Sequence, residues 1–167
     1  MCIRDRPAPE LQRLDELLKT FAVAGFDVRT TATGSLHGMD RACDLAAFRI
    51  IQESLTNASK HGANGQAKLT LTSTESALSI GVSNLVPVGS VGSSAQVNAP
   101  AGHGLIGMRE RAAACGGSLS ARQDEHGVFC VRAVIPRHLT GAPGPAGTSA
   151  KDAAGSHLGR AERADSP

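Results

Sequence analysis

Residues 49–61 read RIIQESLTNASKH, and they are the segment most informative about the fold because polar and apolar residues both recur at helical spacing. Within it Glu53, Asn57 and His61 are spaced by four, so on a helix turning about 100° per residue they share one face. Apolar residues recur at helical spacing on the other side: Leu45, Phe48, Ile51, Leu55 and Ala58. The pattern predicts an amphipathic helix over residues 41–61 with a polar stripe along it.

The segments on either side of this helix carry both helical and strand patterns. Apolar residues at three- and four-residue steps predict a helix over 9–25 ended by Gly25, and alternation predicts a β-hairpin of strands 67–72 and 77–84. The other predicted elements are a strand at 26–33, a loop at 34–40, a helix from Leu105 closed by Gly116 and Gly117, and strands at 118–122 and 127–135. This order favours an α+β fold, a two-layer α/β sandwich with helices on one face of a mixed, mostly antiparallel sheet.

Composition excludes several classes of protein. The chain has 167 residues, 41% of them hydrophobic, and a formal net charge of +2 with both signs interspersed, so no nucleic-acid partner is expected. The cysteines form no CxxC pair, which argues against a zinc site or a disulfide framework. No apolar run approaches the roughly 20 residues that cross a bilayer. We therefore expect a cytoplasmic segment that makes no contact with a membrane.

Composition also divides the chain. Residues 1–8 are expected to be a non-native or disordered leader, because Met1–Asp5 matches the translation of a common sequencing adaptor. Residues 9–137 are predicted to form the domain, and residues 138–167, rich in Gly, Ala, Pro and Ser, a disordered tail. Within the domain, residues 85–104 have neither helical nor alternating periodicity, which predicts a mobile lid.

The polar stripe on the central helix could hold a metal-bound triphosphate. An amide oxygen of Asn57 can coordinate a hard cation such as Mg²⁺, and Lys60 and His61 can meet phosphate oxygens. Glu53 can order or polarise a water or metal ligand nearby. The alternative is an ordinary solvated helix face, which the spacing alone leaves equally open.

Asn84 ends the alternation of Leu78, Ile80 and Val82, so a period of two places it on the same inward face. An amide offers an adenine edge both an acceptor and a donor. Taken alone, Asn84 is better explained as a polar residue that starts a turn after the strand.

Residues 102–108, GHGLIGM, form a glycine-rich turn that opens into a helix. Glycines allow close approach of the backbone, and a helix N-terminus offers free N–H groups to a phosphate. Such turns are also common as plain connections, and this one lacks the spacing of a P-loop or a dinucleotide fingerprint.

Taken in order, these segments resemble the Bergerat-fold ATPases, and more narrowly the catalytic domain of bacterial two-component sensor histidine kinases that partner helix-turn-helix response regulators. The resemblance spans roughly residues 9–137 and rests on three ordered boxes: residues 49–61, VSN at 82–84, and GHGLIGMRER at 102–111 with GG at 116–117. Several boxes in the right order are far more specific than any one of them.

The resemblance implies ATP and Mg²⁺ as ligands. It assigns the Mg²⁺ ion to Asn57, a base or water-orienting role to Glu53, and contact with the phosphates to Lys60 and His61. Asn84 stands where the family usually has the aspartate that reads adenine. The second glycine box would contribute Gly102, His103, Gly104 and Leu105.

The resemblance also implies in-line transfer of the ATP γ-phosphoryl group to a histidine on an upstream dimerisation domain. The expected partners are that domain and a response regulator, and the parent kinase is expected to be a homodimer, with an inner-membrane anchor left open. One box departs from the family, since Val86 and Val88 occupy positions where it has glycines. That departure keeps open a non-catalytic regulatory docking module. A Bergerat-type serine kinase fits the GMRER continuation less well.

Overall fold

The computed structural model describes residues 10–87 and 103–139, and its elements follow the order that the sequence predicts. The helices and strands are a 3₁₀ turn (Glu10–Arg13), α1 (Leu14–Val23), β1 (Asp27–Thr33), α2 (Arg41–His61), β2 (Gln66–Ser73), β3 (Ala77–Leu85), α3 (His103–Ala114), β4 (Ser118–Gln123) and β5 (Val128–Pro136).

Helix α1 ends where the sequence predicts, because the chain turns into the left-handed region at Gly25, whose φ is 79°. The Phe26 N–H donates to Phe21 O and the Gly25 N–H to Ala22 O, both at 3.0 Å, which is the Schellman pattern. The rings of Phe21 and Phe26 pack with centroids 5.9 Å apart across this turn. The same device ends α3 at Gly116, whose φ is 74°.

The five strands of the described chain form one sheet in the order β1-β2-β3-β5-β4. Strands β1 and β2 are parallel, and the other neighbouring pairs are antiparallel. Strands β2 and β3 form the predicted hairpin. The helices pack on one face of this mixed, mostly antiparallel sheet, so the predicted two-layer α/β sandwich is confirmed.

The core lies between the helices and alternate residues of the central strands. The buried strand residues are Ala67, Leu69, Leu71, Leu78, Ile80, Val82, Val131, Ala133 and Ile135. From α2, Ile50, Ile51 and Leu55 are fully buried against them. Burying such side chains contributes about 1.5–3 kcal/mol each, which makes α2 the main hydrophobic anchor of the helical layer.

The prediction that Leu45 lies on the buried face of α2 is wrong, because 40% of its surface is exposed. Helix α2 packs against α3 as well as the sheet, and this second contact turns its buried side towards Cys43, Ala47 and Ile50. A helix that packs against both a sheet and a second helix buries a wider part of its circumference than a helix that packs against a sheet alone. In α2 this buried part does not include Leu45.

Three predicted segments fall wholly or largely outside the described residues: the leader, the tail beyond Leu139, and most of the lid. At the described ends of the predicted lid, Leu85 still belongs to β3, and α3 already begins at His103. Within the described ranges, no helix is long and apolar enough to cross a membrane.

Candidate functional site

The polar stripe of α2 runs along the edge of its buried side rather than opposite to it. Glu53 and Asn57 are partly buried, whereas Lys60 and His61 in the last turn are exposed. Within the described ranges, none of these four side chains makes a hydrogen bond or an ion pair. Their polar atoms therefore do not hold the described part of the fold together through hydrogen bonds or ion pairs.

Helix α3 approaches α2 beside this stripe. The Ser54 hydroxyl lies 3.4 Å from the sulfur of Met108, a buried contact that fixes the two helices side by side. A Cβ atom added at Gly104 would lie 2.6 Å from Oε1 of Glu53 and 3.5 Å from Nδ2 of Asn57. The first turn of α3 thus faces Glu53 and Asn57 directly. We call Glu53, Asn57 and Gly104 the α2 side of the site.

The glycine turn is only partly described. Gly102 lies outside the described residues, while His103 and Gly104 form the first turn of α3, two residues earlier than predicted. Leu105 is partly buried and packs against the hydrophobic core. The first N–H groups of this helix have no intrahelical acceptor, so they can meet an anion beside Glu53 and Asn57.

Asn84 lies within β3, paired with Phe129 of β5, and only 7% of its surface is exposed. The predicted inward orientation is confirmed, and the alternative that Asn84 begins a turn is wrong. Its Nδ2 donates to the carbonyl oxygen of Leu85 at 3.1 Å. The Oδ1 acceptor is therefore the end of the amide that points away from Leu85.

The C-terminus of α2 joins this part of β3. The Ala63 N–H donates to Leu85 O at 2.8 Å. A Cβ atom added at Gly62 would lie 3.3 Å from Nδ2 of Asn84. We call Asn84, Gly62 and Leu85 the β3 side of the site. Because Gly62 directly follows the last turn of α2, which begins near Asn57, the two sides share one end of the sandwich.

Val86 occupies a position where the ATPase family that the sequence resembles has a glycine, and its backbone is used in the sheet. The Val86 N–H donates to Gly127 O at 2.9 Å, so its backbone extends the pairing of β3 with the start of β5. Val88 lies outside the described residues.

Sequence reasoning missed three residues around the site. Gly62 permits the contact with Asn84, and its position directly after Lys60 and His61 could have signalled it. Arg49 and Arg111 line a groove of about 540 Å³ between α2 and α3 that also includes Glu53 and the exposed Leu45. Arg49 lies one helical turn before Glu53, a spacing that could have pointed to it.

The shifted pKa values lie at the other end of α2. Burial, with the neighbouring Cys115 thiol, raises the pKa of Cys43 to about 12. Burial also raises the pKa of Asp44, against the backbone N–H donors of Glu10 and Leu11. At about 1.5 Å per residue, Asp44 is about 20 Å from Asn57 along the helix, so these groups do not form part of the site.

The chemistry of the described side chains suits an oxygen-rich ligand. No group of three or more His, Cys, Asp or Glu residues that could hold a metal occurs in residues 10–87 and 103–139. An Asn and a Glu side by side, with a helix N-terminus, can instead hold Mg²⁺ together with phosphate oxygens, since Mg²⁺ usually takes one or two protein ligands plus substrate phosphates.

No protein-family model and no curated protein matches the sequence. Solved structures do match the fold. The chain is similar to histidine kinase AdeS of Acinetobacter baumannii, with 14% identity and a TM-score of 0.59 over 76% of this chain and 64% of that one. It is similar to the catalytic domain of histidine kinase ThkA, with 17% identity and a TM-score of 0.54 over 76% and 95% of the two chains.

A third similar structure is the blue-light activated histidine kinase EL346 of Erythrobacter litoralis, with 15% identity and a TM-score of 0.58. That match covers 77% of this chain but 45% of the other. This chain thus spans less than two thirds of the AdeS and EL346 chains and nearly all of the ThkA domain. The chain therefore has the fold of histidine kinase catalytic domains.

Proposed function

We propose that this chain is the ATP-binding catalytic domain of a two-component sensor histidine kinase. One observation carries the proposal: boxes far apart in the sequence meet at one end of the sandwich. Gly104 of α3 faces Glu53 and Asn57 of α2, and Gly62 at the end of α2 faces Asn84 of β3. A polar stripe that served only as a solvated surface would not need a glycine of another helix to lie this close to Glu53 and Asn57.

In this proposal the α2 side receives the triphosphate. Asn57 offers its amide oxygen to Mg²⁺, which when bound neutralises charge on the phosphate oxygens. The N–H groups in the first turn of α3 meet phosphate oxygens beside it. Lys60 and His61 lie within one turn of Asn57 and are exposed, so their side chains can reach the same phosphates.

The β3 side would receive the adenine base. Because Nδ2 of Asn84 donates to Leu85 O, its Oδ1 is the end that can accept from the amino group of adenine. A neutral amide gives a weaker acceptor than the carboxylate usual in the family, by about 1–2 kcal/mol. We therefore expect weaker ATP binding than a carboxylate at this position would give.

Phosphoryl transfer would be in-line, with the bond to the β-phosphate oxygen breaking as a histidine nitrogen bonds to the γ-phosphorus and ADP departs. Glu53 lines the open groove between α2 and α3, where its carboxylate can orient the incoming imidazole or accept its proton. The acceptor histidine would belong to an upstream dimerisation domain, and a response regulator would then take the phosphoryl group. Because ATP would be its substrate, we expect the domain to act in the cytoplasm.

Calorimetry with ATP tests the binding step. We expect binding that requires Mg²⁺ and an affinity at least tenfold lower in Asn57→Ala, equivalent to losing a charge-assisted interaction of about 1.5–3 kcal/mol. Ser59→Ala, on the exposed surface of the same helix, is the matched control and should bind like the wild type. No heat at millimolar ATP, or equal binding by Asn57→Ala, would refute the proposal.

A fusion separates an active kinase from the non-catalytic docking module. The domain is joined to the dimerisation hairpin of a related kinase and incubated with labelled ATP and Mg²⁺. We expect labelled phosphohistidine, and about 10²-fold or more slower labelling in Glu53→Gln at unchanged ATP affinity. Binding of ATP without any labelling would favour the docking module.

A further inference from the structure

The face of the sheet that points away from the helices carries an ordered set of basic residues. Arg29 of β1 pairs with Lys68 of β2, and Lys68 pairs in turn with Ser83 of β3. Ser83 pairs with Cys130 of β5, and Cys130 with Arg122 of β4. One row across all five strands therefore has cations at both ends.

Arg132 adds a fourth cation to this face, two residues after Cys130 on β5. Arg29, Lys68, Arg122 and Arg132 are all exposed. The five described strands contain one acidic residue, Asp27. It lies 3.8 Å from Arg29 in a solvent-exposed ion pair, which contributes little to stability. Since the whole chain has 17 basic and 15 acidic residues, four cations against one carboxylate is a local excess.

This arrangement has a cost for the isolated domain. Arg29 and Lys68 are direct neighbours on strands about 4.8 Å apart, where like charges oppose each other and destabilise the sheet. Both side chains are exposed, so neither gains from packing. A ligand of opposite charge would relieve the repulsion.

The strand between the basic pairs has a low surface. The middle of strand β3, at the centre of the sheet, presents Ser79, Gly81 and Ser83 on this face, between Ala77 at one end and the exposed Leu85 at the other. A Cβ atom added at Gly81 would meet nothing nearer than Thr70 at 3.8 Å. We call this strip of β3, with the four cations on its two sides, the basic trough.

The dimensions of the basic trough fit an α-helix. Strands β2 and β5 flank β3, so they lie two strand spacings apart, about 10 Å, close to the width of a helix with its side chains. The nine residues of β3 extend about 30 Å, the length of a helix of about 20 residues. The four cations lie in the two neighbouring rows that pass through Ser83 and Gly81, so one or two turns of such a helix would meet them. A pocket of about 270 Å³ lies at the edge of the sheet beside Arg29, Lys68 and Ser83, and it also reaches Asn84 and Leu85 of the β3 side of the site.

We propose that the basic trough docks an acidic helix of a partner protein. Charge complementarity favours a partner that carries carboxylates. The same basic face of a second copy of this chain would be repelled. The strand pattern places no aromatic side chain on this face, since Phe129 pairs with the inward Asn84. Single-stranded nucleic acid, which binds largely by stacking on aromatic rings, is therefore disfavoured. The inference does not depend on ATP binding.

The test uses the full chain and a fluorescein-labelled peptide of glutamate and alanine, about 20 residues long, which as a helix matches β3. Binding is followed by fluorescence anisotropy at low and moderate salt. We expect saturable, salt-sensitive binding, and no binding of the same peptide with glutamine in place of glutamate.

Two charge-reversed variants and a control locate the binding surface. Arg29→Glu with Lys68→Glu, and Arg122→Glu with Arg132→Glu, should each weaken binding about tenfold or more. Lys19→Glu with Arg41→Glu reverses two exposed charges on the helical layer and should leave affinity unchanged. Melting followed by circular dichroism checks the fold, and a variant that unfolds is replaced by its glutamine counterpart.

Four results would overturn the proposal. They are absence of peptide binding at low salt, an equal loss in the helical-layer control, tighter binding of an oligothymidylate through the same residues, and a self-association in sedimentation that the sheet-face variants abolish. The last two would assign the basic trough to nucleic acid or to a second copy of this chain.

Discussion

The two sides of the candidate site differ in how the fold holds their polar groups. On the α2 side, Glu53 and Asn57 are partly exposed and make no hydrogen bond or ion pair within the described ranges. On the β3 side, Asn84 is 7% exposed and its amide is bonded to Leu85. Substitutions on the α2 side should therefore change the stability of the fold little, whereas substitutions on the β3 side should also destabilise it.

The largest loss of stability is expected from Gly62→Ala on the β3 side. The new Cβ would clash with the carbonyl oxygen of Ala58 in the last turn of α2 and would lie 3.3 Å from Nδ2 of Asn84. Residue 62 must therefore move off the end of α2, which weakens its N–H bond to Ala58 O and its packing against β3. We expect the free energy of unfolding to fall by about 1–3 kcal/mol, measured by urea denaturation, with weaker ATP binding.

Gly81→Ala is the matched control for Gly62→Ala. Its nearest neighbour would be Thr70 at 3.8 Å, an ordinary contact, so this change should be neutral or stabilise by up to about 1 kcal/mol. If Gly62→Ala were as stable as Gly81→Ala, α2 and β3 would not be as tightly joined as the structure indicates.

A smaller loss is expected from Asn84→Asp, which installs the aspartate usual in the ATPase family that the sequence resembles. A carboxylate oxygen would replace the N–H group that faces Leu85 O, so two acceptors would meet in a buried place. We expect a loss of about 1–2 kcal/mol near neutral pH.

The pH dependence of Asn84→Asp has a definite sign. Burial and the facing carbonyl raise the pKa of the new carboxyl in the folded state above its unfolded value, so the folded state binds the proton more tightly. The deficit relative to wild type should therefore shrink as the pH falls from neutral towards the unfolded pKa, in parallel denaturation series. A deficit that grows in acid would mean that the carboxylate is stabilised in the fold.

Much of this fold is predictable from local pattern. Glycines end α1 and α3 through left-handed turns, and alternation marks the β2–β3 hairpin, because both signals act within a few residues. Leu45 was predicted wrongly because its exposure depends on how α3 packs against α2, which no periodicity within α2 records.

The site divides in the same way. The polar stripe of α2 is visible in the sequence because one helix carries it, whereas its closeness to Gly104 depends on the α2–α3 contact through Ser54 and Met108. The inward orientation of Asn84 follows from strand alternation, but its bond to Leu85 and its contact with Gly62 depend on tertiary packing.

The smallest change in stability is expected on the α2 side, from Gly104→Ala. The new Cβ would lie 2.6 Å from Oε1 of Glu53, the far end of a flexible side chain that can move aside, so the free energy of unfolding should stay within about 0.5 kcal/mol. The methyl group would nevertheless fill the space beside Glu53 and Asn57 that the proposed function assigns to the triphosphate. We expect ATP affinity to fall by about tenfold in calorimetry, the equivalent of about 1.4 kcal/mol.

Gly107→Ala, one turn further along α3, faces Arg111 at 3.3 Å and should keep wild-type affinity. Equal ATP binding by the two variants would place the phosphates elsewhere and remove the functional distinction between the α2 side and the β3 side.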